Sequence, residues 1–141
     1  MNWLFYALLA ASGFGFYNFF LKMSADKLNP AAANIFIAGT SCLVAIISTI
    51  YLKLNGQDIL ITKESIKFPL IAGLFTGMAE ILYLTMYSKN TPITIGNPLV
   101  VGGSIVIAVI LGLIILKEPM NGVKVAGIIL TLSGLAVLSR G

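Results

Sequence analysis

Glu80 is an acid set inside a long apolar run from Phe68 to Tyr87, well over one helical turn from either end, and no other acidic residue sits at comparable depth. A carboxylate in hydrocarbon costs on the order of 3 kcal/mol. An ionisable group at that depth therefore faces a bundle interior or a wet cavity and marks a functional site. A carboxyl can hold a proton in one state and a charge in another, so Glu80 is the candidate proton-coupling residue. Its plainer role is a static, hydrogen-bonded acid that specifies helix packing.

Thr76, Glu80, Tyr83 and Tyr87 recur at i, i+4, i+7 and i+11, one face of a helix. Hydroxyls beside a carboxyl stabilise it or bond a solute. Tyr87 also suits an interfacial aromatic belt. Asn18 shares a face with Ala7, Ala11, Gly15 and Lys22, and Asn34 opens a face with Ala38, Ser41, Ala45 and Ser48. Further small residues recur at Gly73 and Gly77, at Ser104, Ala108 and Gly112, and at Gly127, Thr131 and Gly134. Such spacing lets helices approach closely in lipid, and packing alone accounts for most of these positions. Gly96-Asn97-Pro98 and Gly102-Gly103 have two readings: ordinary capping if a helix begins at Asn97, or a kink within the membrane if it begins near Ile93. Interrupted helices recur near transporter binding sites, which keeps Asn97 as a candidate. The substrate-binding candidates are Asn18, Asn34, Thr76, Tyr83 and Asn97, lining a central cavity with Glu80.

Other chemistries lack their parts. With one cysteine, Cys42, and no histidine, zinc sites and Cys/His or Ser/His/Asp catalysis have no ligand or base set. Neither paired acids nor a nucleophile with its base occur, so the sequence argues against an enzyme, a metal site or a cofactor. Cys42, in an apolar run, reads as a small packing residue.

The elements that must position these residues follow from composition. The chain is 58% hydrophobic and 10% charged, where a soluble domain is about a quarter charged; this predicts an all-α integral membrane protein. The net charge of +4 comes from basic residues scattered at run ends, as headgroup anchors, so nucleic-acid binding is not expected. Five apolar runs, 3–22, 31–53, 68–88, 97–117 and 123–138, make a single transmembrane domain over 1–141. Helix is the element that satisfies its own backbone in lipid, and strand-like alternation is absent. The first run lacks the positive flank of a secretory signal and reads as a span.

Local signals set the boundaries. Asn29-Pro30 reads as a cap and first helical residue, and Ser65 as the cap of the third span, with Pro69 in its first turn. The short connection from Lys117 to Gly122 makes spans four and five antiparallel neighbours. The uncharged stretch from Val125 to Ser139 is only about 22 Å long against a core near 30 Å. It must thin the bilayer, use Lys124 and Arg140, or pack on a partner. Lys53, Lys63, Lys67, Lys117 and Lys124 share the face of the amino terminus, against Lys22, Lys27, Lys89 and Arg140 on the other. This near-tie leaves open a single orientation, amino terminus inside, and insertion of copies both ways.

The final spans carry a resemblance. Ile110 to Leu116, the Lys117-Glu118 step, the turn from Pro119 to Gly122, and the last run with Gly127 and Gly134 seven apart resemble the drug/metabolite transporter superfamily, EamA-type, in its five-span single-repeat branch. Asn18-Phe-Phe-Leu-Lys22 fits as the end of the first span. In the third span many members place an aromatic followed by Ala-Leu, where this chain has Tyr83-Leu-Thr-Met86-Tyr87, so no substrate is carried over. The resemblance implies a secondary transporter, an exporter of a small metabolite or drug-like solute, working by alternating access in the cytoplasmic membrane and proton-coupled. Longer members contain two inverted five-span repeats. A single repeat therefore implies a homodimer with antiparallel protomers, paired through the last helix. Glu118 matches a family acid and is assigned to structure. The alternatives are a subunit of a heteromeric lipid-carrier or glycolipid flippase, and a non-transporting membrane scaffold. In each reading the partners are the lipid bilayer and, for the transporters, a small-molecule solute.

Overall fold

The computed structural model describes residues 3–25, 27–138 and 140. Among these residues five helices run in order: α1 (Trp3–Ala25), α2 (Pro30–Leu54), α3 (Lys67–Ser88), α4 (Ile93–Ile114) and α5 (Gly122–Leu138). Strands are absent among the described residues. α1 to α4 are long and apolar enough to cross a membrane, whereas α5 has 17 residues and is shorter. Ser139, the expected end of the last uncharged stretch, lies outside the described residues.

Contacts divide the chain into two compact units, Met1–Phe20 with Lys89–Gly141, and Leu21–Ser88. In the second unit α2 packs on α3. Its buried apolar residues are Leu21, Ala25, Ala33, Tyr83, Leu84 and Tyr87. Asn29 caps α2 as its sequence suggests, its side-chain oxygen accepting from the Ala31 N–H at 2.9 Å with Pro30 opening the helix. Ser65 does not cap α3. Its hydroxyl donates to the Thr62 carbonyl at 2.9 Å and accepts from the Thr62 N–H at 3.0 Å, closing a turn that ends before α3 starts at Lys67. Cys42 is exposed on α2 rather than packed.

In the first unit α4 packs on α5. α4 starts at Ile93, not Asn97, so Pro98 lies inside the helix and Asn97 is not its cap. Asn90 takes a left-handed φ of 62°, which asparagine tolerates better than most residues. Pro92 then holds extended backbone and the helix begins behind it without a side-chain cap. Ile93 and Ile95 are half-buried and Gly96 is buried, so packing rather than capping holds the first turn. Pro98 gives no N–H to the carbonyl of Thr94, one helical turn back.

α4 ends at Ile114, short of the expected Lys117, because the chain reverses there. Lys117 adopts φ 52°, and the Glu118 N–H donates to the Gly112 carbonyl at 3.1 Å. Higher up the helix, the Leu135 side chain of α5 lies directly on Gly102. A Cβ at Gly102 would fall 1.7 Å from Leu135 Cδ1 and 2.8 Å from its Cγ. Of the other small-residue faces, Gly15, Gly73, Gly77, Gly127 and Gly134 all look onto open space.

The Gly102 contact gives a stability test. Gly102→Val should destabilise the α4–α5 pair by about 1–3 kcal/mol through overpacking. Adding Leu135→Ala should recover part of that loss, measured as thermal unfolding of the detergent-solubilised protein.

Candidate functional site

The polar face of α3 is built by helical repeat. Glu80 is half-buried, about 20 Å from the start of α3 and about 12 Å from its end at 1.5 Å per residue. One turn on, Tyr83 is buried, and one turn beyond it Tyr87 is fully buried. Side chains four apart on a helix meet. Accordingly the two phenol rings stack, with centroids 5.0 Å apart and planes at 26°. The Tyr87 hydroxyl donates to the Tyr83 hydroxyl at 3.3 Å.

Lys22, in the last turn of α1, completes this cluster. Its ammonium donates to the Tyr87 carbonyl at 3.1 Å and stands 5.5 Å from the Tyr87 ring centroid. The last carbonyls of a helix have no donor within the helix, and the helix end carries partial negative charge. A lysine there satisfies an unpaired acceptor, meets the favourable end of the dipole and adds a cation–π contact. Lys22 and Tyr87 therefore differ from their sequence reading as headgroup anchor and aromatic belt. Tyr87 has no exposed surface, so it anchors the chain's own packing.

Asn34 reaches α3 from α2. It is half-buried, and its side-chain amide donates to the Gly77 carbonyl at 3.1 Å, three residues before Glu80. Thr76 is exposed, and its hydroxyl donates to the Ala72 carbonyl of its own helix at 2.8 Å. Asn34, Thr76, Glu80 and Tyr83 thus share one unit, while Asn18 and Asn97 belong to the other. Asn18 is a buried polar residue, and Asn97 is half-buried within α4.

Chemically, the α3 cluster offers a carboxyl, two phenols and an ammonium. The carboxyl accepts hydrogen bonds or a proton, the phenols donate and accept, and the ammonium donates only. In the sequence, depth and spacing single out Glu80 and Tyr83 and place them on one face of a helix. Sequence reasoning missed Lys22 as a partner of Tyr87 because those residues lie 65 apart in the chain and no local pattern joins them.

The EamA-like transporter family model matches residues 1–140. No curated protein and no solved structure matches the chain.

The Lys22 contacts set an expectation for stability. Lys22→Met removes a charge-assisted hydrogen bond and a cation–π contact, and should cost about 2 kcal/mol. Lys22→Arg should retain most of this, and Tyr83→Phe, which keeps the stack, should cost about 1 kcal/mol or less. Thermal unfolding of the three variants in detergent checks the order.

Proposed function

The chain belongs to the EamA-like transporter family, and on that premise we propose that it is a proton-coupled secondary exporter of a small metabolite or drug-like solute across the cytoplasmic membrane. The observation that carries the proposal is Glu80, half-buried in the middle of an apolar helix, with two buried, stacked tyrosines one and two turns further on. Glu80 is neutral in one state and charged or solute-paired in the other. Exchange of its proton for solute then couples the two fluxes. Tyr83 offers an aromatic ring to a planar or cationic solute, and Asn34 and Thr76, in the same compact unit, supply donors and acceptors beside it.

The working unit is one five-helix domain paired as a homodimer. Two oppositely inserted copies related by a two-fold axis in the membrane plane make the inward-open and outward-open states equivalent. Two features favour pairing. α5 has no buried residue, and a side chain added at Gly73 or Gly77 of α3 would enter open space.

Flux in proteoliposomes under an imposed pH gradient tests the role of Glu80. Glu80→Gln keeps size and hydrogen bonding but cannot release a proton, and it should abolish gradient-driven accumulation, with a loss of tenfold or more. Equal gradient-driven flux in the wild type and the variant would remove Glu80 from the mechanism.

A further inference from the structure

The α4–α5 turn brings two opposite charges to the mouth of an apolar groove. The groove, about 140 Å³, is lined by Val106, Val109, Ile110, Met120, Ile128 and Ile129, among others, all apolar. It shares Val109, Met120 and Ile128 with a second cavity of about 270 Å³ that is walled by the turn and includes Glu118 and Lys124. An apolar groove on the α4–α5 pair thus lies beside a cavity whose wall carries one acid and one base.

The backbone repeats this charge pattern. The Glu118 carboxylate folds back over the last turns of α4, with Oε2 3.4 Å from where a Gly112 Cβ would stand. Gly112 leaves it that room. The C-terminal end of a helix carries partial negative charge, so carboxylate and helix end together favour a cation. Lys124 lies in the first turn of α5, whose N-terminal end favours an anion. The Lys124 ammonium spends one donor on the Pro119 carbonyl at 2.9 Å, leaving the others for a ligand.

We propose that this groove binds a phospholipid whose headgroup carries a primary ammonium beside its phosphate, a phosphatidylethanolamine. The acyl chain lies along the α4–α5 channel. The phosphate meets Lys124 at the start of α5, and the ammonium meets Glu118 at the end of α4. A primary ammonium gives N–H hydrogen bonds to a carboxylate, which a trimethylated choline cannot. The site is therefore selective by hydrogen bonding, not by net charge. It is independent of whether Glu80 moves a proton.

Native mass spectrometry of the detergent-solubilised protein with defined lipids tests this without any variant. Across phosphatidylethanolamine and its mono-, di- and trimethylated forms, retained lipid should fall stepwise, by fivefold or more over the series. Phosphatidylglycerol should be retained more weakly than phosphatidylethanolamine. Glu118→Gln should flatten the methylation series, Lys124→Met should weaken all members alike, and Ile128→Trp should displace lipid with both charges intact. Equal retention of all headgroups by the wild type would overturn the proposal. So would disulfide cross-linking of Ile129→Cys between copies, in a Cys42→Ser background in phosphatidylethanolamine vesicles, since a second copy would then occupy the groove.

Discussion

A carboxyl carried into the apolar middle of a helix imposes a debt of several kcal/mol on the fold, and the placement of Glu80 on α3 governs what surrounds it. The helix answers with polar and aromatic groups along the same face. Tyr83 and Tyr87 follow Glu80 at helical spacing, stack on each other and are withdrawn from the surface. Asn34 ties α2 to the Gly77 carbonyl just before the acid. The helix that bears the ionisable group holds three buried residues of its unit, Tyr83, Leu84 and Tyr87, although most large apolar side chains among the described residues stay exposed, as lipid-facing surfaces do.

Lys22 shows how one charge can serve two demands. Near the end of a span, lysine usually lifts its ammonium to the headgroups. Here it turns to the end of α3, where a carbonyl needs a donor and a ring offers its face. This fixes the end of α3 nearest the phenols. It also makes the short chain segment beginning at Leu21 part of the same compact unit as α2 and α3.

Much of the fold was legible in the sequence because lipid narrows the choices. Length and composition give the helices, and Asn29-Pro30 marks the start of α2 through a cap that is purely local. The start of α4 was ambiguous because proline permits two answers, and burial of Gly96 with half-burial of Ile93 and Ile95 favours the longer helix. Ser65 looks like a cap, but Thr62 lies close enough to claim its hydroxyl. Small-residue spacing was a poor guide to close packing: Leu135 fills the space above Gly102, while the Cα faces of Gly73 and Gly77 look onto open space. Spacing along one helix says which residues share a face, not which neighbour arrives there. For the same reason Glu80 and Tyr83 were readable from their own helix, and the Lys22–Tyr87 pairing was not.

The proposed coupling requires the Glu80 carboxyl to take up and release a proton within an apolar surround that solute can reach. Dicyclohexylcarbodiimide, an apolar reagent that modifies protonated carboxyl groups, reads this directly by intact mass, with Glu80→Gln as the reference for Asp26, Asp58, Glu64 and Glu118. The account expects labelling at Glu80 whose rate falls as pH rises and which transported solute slows. Labelling of Glu80 that is independent of pH and of solute, or no labelling at any pH, would contradict it.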